Sequence, residues 1–351
     1  MKSKSISILS VGGIDGKSNT CLHRHWSLEK IAHRIDVVNT STTINLWFRI
    51  VYHLFLYGFP IRLPDIKKIN KEIIERITSC DYDIVWIDKG ILIFPETLTE
   101  IKKQSPKTKI VSYSPDNMAL RHNQSQQYLE CIPLYDYIIT NKSYIIEDMK
   151  RLGGKNVAFV NNTYSEDFHK PYELSEVERK ELGGDVGFIG FWEKERCKSI
   201  LYLVDHGVKV KVFGDAKWNK YANYSPNLTV MGRFLGDEDY CKSLHAFRIS
   251  LCFLRKMNFD MQTTRSVEIP ACGGFMMAER TDEHLSLFEE DKEAVYFSSN
   301  EELLEKCLYY LKNEDIRKNI AEAGRERCVS SGYSNEDMVE RVLFQVMNLS
   351  K

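Results

Sequence analysis

The sequence predicts an α/β protein built from two doubly wound domains, and three observations support this. Short continuous apolar runs, such as residues 84–87 (I-V-W-I) and 249–254 (I-S-L-C-F-L), read as parallel strands buried on both faces. Helical patterns and glycine-bearing turns alternate with these runs, with no long all-β or all-α block. The strand–glycine–helix pattern that opens near residue 5 restarts at residues 185–190 (D-V-G-F-I-G). The polar stretch before the restart reads as a linker, which divides the chain into residues 1–170 and 171–351.

The 351 residues are 43% hydrophobic and 28% charged, which suits about two globular domains. A net charge of −1 makes no electrostatic case for nucleic acid as the main partner. No stretch reaches the roughly 18 apolar residues that a membrane span needs. The basic-then-apolar start is too short and too broken by glycine for a signal peptide. Nine cysteines without a C-x-x-C pair point to reduced, buried thiols in the cytosol rather than disulfides or zinc.

Residues 5–11 are the first predicted strand, and G-G-I-D-G-K-S leads into a helix over 21–33. Gly16-Lys17-Ser18 is similar to a Walker A loop, but Val11 stands where that loop needs glycine, so the segment reads as a glycine-rich turn. His23 and His25 lack a third metal ligand and read as surface or capping residues, or as acceptor contacts. Residues 35–38 are the second strand. Residues 45–59 are unusually aromatic and read either as a core helix or as a surface helix touching a membrane or a lipid-linked acceptor. An amphipathic helix is expected over 64–77, and another helix over 97–103. Strands 84–87 and 109–113 place Asp88, Asp116 and Asn117 at the carboxyl edge, where open α/β sheets gather ligands. Asp116 is the acceptor-side candidate, with a plain Pro-Asp-Asn turn as the alternative. Strands 137–140 and 157–160 flank a helix that ends at Gly153-Gly154.

In the second half, Gly190 either lets the backbone approach a ligand or forms a turn. Lys194, Arg196 and Lys198 follow at a helix start, where cations oppose the helix dipole unless a phosphate is bound. Strands are expected at 208–213, 228–231 and 249–254, with a helix over 237–247. Arg255 and Lys256 lie just past the last of these strands. Next comes D-M-Q-T-T-R-S-V-E-I-P-A-C-G-G, residues 260–274. Thr263 and Thr264 can cap a short helix whose free N–H groups face an anion. Arg265 suits bidentate phosphate contact, and Glu268 comes one turn later on the same face. This set suits a nucleotide diphosphate, with a carboxylate for the ribose hydroxyls. Strands 275–278 and 294–297 and helices over 284–288, 299–312, 315–329 and 335–347 complete the chain, with Ser299 and Glu302 forming a capping box.

The segment T-R-S-V-E-I-P-A-C-G-G-F-M-M-A-E-R-T resembles the C-terminal domain of the CgeB-like glycosyltransferases of the group 1 type, and the likeness runs to G-R-E-R-C near residue 328. Glu268 also resembles the second Glu of the E-x7-E signature of retaining GT-B glycosyltransferases; Asp260 stands at the first position, giving D-x7-E. The resemblance implies a GT-B fold, two Rossmann-like domains facing across a cleft, with the last helix crossing back onto the first. It implies transfer of a sugar from a UDP- or GDP-sugar to a glycan, a lipid-linked acceptor or a protein, in building a bacterial polysaccharide. It implies binding of that donor by Gly190, Arg196, Lys256, Thr263, Thr264, Arg265 and Glu268. Arg265, Asp260 and Asp116 are the catalytic candidates. No metal or other cofactor is implied; Asp81-Tyr82-Asp83 fits the letters of a D-x-D motif but reads as a turn.

Retention is the implied stereochemistry. Inversion would need a base such as Asp116, Asp88, His23 or His25. Arg265 has a structural alternative, an ion pair with Glu268. Two other functions stay open, a sugar-nucleotide epimerase and a non-catalytic binder of nucleotide sugars. The expected location is the cytoplasm, with peripheral contact at the inner face of the membrane through residues 45–59.

Overall fold

A computed structural model describes residues 6–42 and 44–348, so Ser5 of the expected first strand and the basic start of the chain lie outside the described residues. The chain forms two compact units, Met1–Asn161 with Asn335–Lys351, and Asn162–Ser334.

The first unit runs β1 (Ser7–Gly12), α1 (Thr20–Ile31), β2 (Arg34–Asn39), α2 (Leu46–Leu56), α3 (Ile69–Ser79), β3 (Ile84–Asp88), α4 (Pro95–Gln104), β4 (Lys109–Ser114), α5 (Gln126–Cys131), β5 (Tyr137–Thr140), α6 (Ile146–Arg151) and β6 (Val157–Phe159). The second runs α7 (Glu176–Leu182), β7 (Gly184–Ile189), α8 (Lys194–Asp205), β8 (Val210–Phe213), β9 (Leu228–Val230), α9 (Asp237–Ala246), β10 (Phe247–Cys252), α10 (Arg265–Ala271), β11 (Met276–Glu279), α11 (Asp282–Leu287), β12 (Val295–Phe297), α12 (Asn300–Lys312) and α13 (Glu314–Ser330). The final helix, α14 (Asn335–Asn348), rejoins the first unit.

Each unit holds a six-stranded parallel sheet, ordered β2-β1-β3-β4-β5-β6 in the first and β12-β11-β10-β7-β8-β9 in the second. The α/β class with two doubly wound sheets is therefore as the sequence predicts. In β3, Val85 and Ile87 pack into one core and Ile84 and Trp86 into another, on the opposite face. That second face is covered by Met338, Val339, Val342, Leu343 and Val346 of α14. Each such fully buried side chain contributes about 1.5–3 kcal/mol by leaving water. Strand order reverses between β1 and β3 in the first sheet and between β7 and β10 in the second, and crevices open beyond the carboxyl ends at such switch points.

Several elements differ from the sequence reading. The helix expected from residue 64 begins only at Ile69, because the Asp65 carboxylate takes the N–H groups of Ile69 and Asn70 at 2.8 and 2.9 Å. The presumed linker contains α7, opened by a full capping box between Ser175 and Glu178. β10 begins at Phe247, directly after α9, not at residue 249. Residues 162–169, read as the end of the first domain, belong to the second unit, where Asn162 N–H donates to Gln262 Oε1 at 2.9 Å. Helix α2 is a core helix on one face and exposed on the other. Phe48, Val51 and Phe55 are buried, while Leu46 and Trp47 are 72% and 60% exposed. Among the described residues no helix is long and apolar enough to cross a membrane.

At the first switch point α1 and β3 crowd the end of β1, so that a Cβ on Gly12 would lie 2.4 Å from Cys21 Sγ and 3.0 Å from Asp88 Cβ. Beneath this contact Arg24 grips Asp88 with two bonds, Nε to Oδ2 at 2.7 Å and Nη2 to Oδ1 at 2.9 Å, and lies 4.2 Å over the Tyr113 ring. Both charges are buried. Asp88, expected as a ligand-edge carboxylate, is instead engaged by Arg24. Arg24→Met is expected to cost about 3–5 kcal/mol in urea unfolding, since it strands a buried carboxylate, and adding Asp88→Leu should restore most of the loss. A single variant as stable as the parent would mean that water already screens the pair.

Candidate functional site

At the second switch point the carboxyl ends of β7 and β10 lie side by side. Gly190 follows β7. Its N–H donates to Phe213 O at 2.9 Å, its carbonyl accepts from Trp218 Nε1 at 3.1 Å, and a Cβ would sit 2.7 Å from the Phe188 ring. Packing therefore favours glycine here, and its N–H and carbonyl are both engaged within the turn.

Arg196, in the first turn of α8, is only 4% exposed. One guanidinium nitrogen donates to Phe191 O at 3.2 Å and lies 3.7 Å from Glu193. Burial pulls its pKa down, Glu193 opposes this, and the neighbouring Arg265 and Arg255 lower it further. Arg255, just beyond β10, shares the same Glu193 at 3.3 Å. Arg265 and Arg196 both act on the buried Cys252 thiol at the end of β10, which burial raises to about 12. Three guanidiniums thus converge on one strand end with Glu193 between two of them. Lys256 bonds Glu279, and Lys198 pairs with Glu195 on an exposed face at 3.0 Å. Lys194 is exposed.

The start of α10 corrects the expected capping. Thr264 already has helical angles and its side chain makes no cap bond. Instead Ser266 Oγ accepts the Thr263 N–H at 3.0 Å and lies 2.7 Å from Nε2 of the buried His284. His284 Nδ1 lies 2.6 Å from Glu279 O. A carbonyl only accepts, so Nδ1 carries the proton and Nε2 accepts from the serine. This relay fixes the turn that carries Arg265. Arg265 itself is half-buried and makes no ion pair or side-chain hydrogen bond among the described residues, its Nε included. The alternative in which it pairs with Glu268 is not realised.

Glu268 is 4% exposed. Oε2 accepts from Tyr240 O–H at 2.5 Å, and Oε1 lies 3.4 Å from His169 Nε2. His169 Nδ1 accepts the Ser165 N–H at 3.0 Å, so Nε2 bears the proton. Asp260 is buried, and its N–H donates to Arg255 O at 3.2 Å.

In the first unit a cavity of ≈ 710 Å³ lies at the switch point, lined by Gly13, Asp88, Lys89 and Asp116 and walled by Phe48 and Tyr52 of α2. Asp116 pairs with Lys89 at 2.6 Å. His23 is buried with Nε2 2.7 Å from Lys17 O, and His25 is buried beside Glu29 at 3.3 Å; both are core residues of α1 rather than surface or cavity groups. Asn117 Oδ1 accepts the Ala119 N–H at 3.1 Å, a turn-forming role. Asp83 of the D-x-D letters accepts the Ser7 N–H at 2.8 Å. Among the described residues no group of three or more His, Cys, Asp or Glu could hold a metal ion. All nine cysteines are free thiols.

Sequence reasoning missed Glu193, Tyr240, His169 and His284. His169 sits in the presumed linker, and the other three carry no local motif, so only the fold brings them to this edge.

Residues 196–343 match the family described as glycosyl transferase-like. No curated protein matches the chain. Among solved structures it is similar to the N-terminal domain of trehalose-6-phosphate phosphatase from Candida albicans, with TM-score 0.69, 12% identity, and coverage of 100% of this chain and 99% of that one. It is similar to a glycosyltransferase from Rickettsia africae, with TM-score 0.63, 14% identity, and coverage of 99% and 100%. It is also similar to HepE from Anabaena in complex with UDP-glucose, with TM-score 0.62, 13% identity, and coverage of 97% and 100%. At these identities the likeness establishes the fold, which is GT-B, with two Rossmann-like domains.

The Glu268 cluster makes stability depend on pH. The 3.4 Å gap to Glu268 is too long for a strong charged bond, so burial dominates and lowers the His169 pKa to about 3. An unfolded histidine takes a proton near pH 6.5. Between these values only the unfolded chain is protonated, so the stability present above about pH 6.5 is lost progressively as pH falls toward 3. Urea unfolding is expected to show stability falling from about pH 7 to about pH 5, with a shallower fall in His169→Gln. His25, His245 and His284, also lowered by burial, should supply the remaining slope. Equal slopes in parent and variant would remove His169 from the account.

Proposed function

We propose that this chain is a CgeB-like glycosyltransferase that moves a sugar from a nucleotide-sugar donor, a UDP-sugar or GDP-sugar, to an acceptor in polysaccharide synthesis. The observation that carries the reading is the convergence of Arg196, Arg255 and Arg265 at the β7–β10 switch point, with Arg265 left without an anionic partner among the described residues. The glycosyl transferase-like match over this segment supports it. UDP is the favoured nucleotide because the similar HepE is solved with UDP-glucose.

Transfer breaks the bond between the anomeric carbon and the leaving diphosphate, and negative charge builds on the phosphate oxygens. A fixed guanidinium aimed at that charge stabilises the transition state more than the ground state. Arg265 takes this role, held by the Ser266–His284 relay, while Arg196 and Arg255 bind the diphosphate and Lys256 lies beside it. Positive charge from these groups does the work of a divalent ion, so the reaction is metal-independent. Glu268 accepts the ribose hydroxyls. A carboxylate has about four acceptor positions, and Tyr240 and His169 use two while fixing its orientation. In this reading Asp260 serves the donor sugar, and the resemblance of D-x7-E to the E-x7-E signature supports retention.

The acceptor binds in the first unit's cavity, where Asp116 meets its hydroxyl. Ile44 belongs both to the cavity wall and to the exposed apolar set with Leu46, Trp47 and Ile50 of α2. That continuity favours a lipid-linked acceptor at the cytoplasmic face of a membrane.

With UDP-glucose as probe, the enzyme should release UDP slowly without acceptor; conversion of the sugar would indicate an epimerase, and neither change a non-catalytic binder. Arg265→Ala is expected to lower kcat by about 10²-fold with a smaller change in donor affinity. Unchanged turnover would take Arg265 off the reacting phosphate. Glu268→Gln, which keeps the shape, should weaken UDP binding by about 1–3 kcal/mol in calorimetry. Full UDP affinity in a folded variant would exclude the ribose contact.

A further inference from the structure

The opposite, amino-terminal edge of the second sheet carries a separate cavity of ≈ 740 Å³. It opens where β7, β8 and β10 begin, at Gly184, Val210 and Phe247, with α13 along one side. Seven cationic side chains line it against two carboxylates, Asp185 and Glu314. This is a marked imbalance in a chain whose net charge is −1.

Both carboxylates are already engaged. Asp185 meets Arg248 at 3.0 Å, and Glu314 meets Lys318 at 2.7 Å. Lys211 closes α7, donating to the carbonyls of Lys180 and Glu181 at 3.0 and 2.9 Å. Arg179, Lys180, Lys209 and Arg317 form no ion pair among the described residues. Arg317 is the most telling of these, because it is only 6% exposed. One of its nitrogens donates to Tyr310 O at 3.0 Å; burial and Arg248 disfavour its charge, while Glu314 and Asp185, each already paired elsewhere, favour it from beyond ion-pair contact. A buried cation with no carboxylate in direct ion-pair contact is costly, and an anion in the cavity would offset that cost. Guanidinium groups suit phosphate through paired N–H donors, and the volume fits a small molecule, not a nucleic acid duplex.

We propose that this cavity binds a multiply charged, phosphate-bearing small molecule at a site separate from the sugar-transfer edge. The proposal rests on the cavity's own residues and does not depend on the donor reading.

Calorimetry with sodium tripolyphosphate tests it on the full chain. The double variant Arg179→Glu, Lys209→Glu changes exposed side chains, so its melting temperature should stay near the parent's. Its affinity is expected to fall about tenfold or more, with two charged contacts reversed. Arg317→Lys should lose affinity while keeping the charge, and saturating UDP-glucose, directed at the sugar-transfer edge, should leave tripolyphosphate binding at this cavity in place. Unchanged affinity in the double variant, or binding that UDP-glucose abolishes entirely, would overturn the proposal, as would no binding to the parent. Vesicles of phosphatidylglycerol separate the sources. Sedimentation that tripolyphosphate competes away and the double variant lacks assigns a lipid headgroup. Tripolyphosphate binding without sedimentation assigns a free phosphate compound.

Discussion

Parallel pairing uses every backbone group of a central strand, so chemistry is confined to the strand ends. In the second sheet β7 is flanked by β10 and β8, and its neighbours account for its backbone from Gly184 to Ile189. Where strand order reverses, the connections from β7 and β10 leave toward opposite faces, and nothing in the sheet fills the gap beyond their carboxyl ends. The positions of Arg196, Arg255 and Arg265 all follow from that one topological fact. Each lies within a few residues of where one of these strands ends or the next helix begins.

The site edge is built from partners that restrict one another. Ser266 Oγ accepts the Thr263 N–H while its own O–H donates to His284 Nε2, and the other nitrogen of His284 donates to Glu279 O, so each group fixes the next. Glu268 is fixed in the same way by Tyr240 and His169. Such closed sets leave little slack, and that suits a catalyst whose charges must stay in place as the substrate's charge moves. Arg265 stands apart from this pattern, with its turn fixed and its guanidinium uncommitted.

Much of the architecture is legible in the residues themselves. I-V-W-I is a short strand buried on both faces, as its continuous apolar run implies, and Ser299 caps α12 by accepting the Glu302 N–H, although the Glu302 carboxylate takes the Ser298 N–H instead of closing the box on Ser299. The α7 helix hides inside a polar run because its seven residues bury only Leu182, so no apolar period announces it. Polar partnerships were harder to read. Asp88 at a strand end looks the same whether or not Arg24 lies beneath it, 64 positions away in sequence. Gly190 looks the same in sequence whether or not the Phe188 ring crowds the place of its Cβ. Local pattern specifies which atoms sit at an edge, while only the folded chain specifies which of them are already satisfied.

Helix α14 has a consequence for how the polypeptide is made. The ribosome releases residues 1–161 long before the apolar stripe from Met338 to Val346 that seals one face of their sheet. The second unit, continuous from residue 162 to residue 334, is complete before that stripe emerges. The nascent amino-terminal half must therefore wait with Ile8, Trp86 and Tyr113 uncovered, so the order of synthesis and the order of completion run opposite to each other.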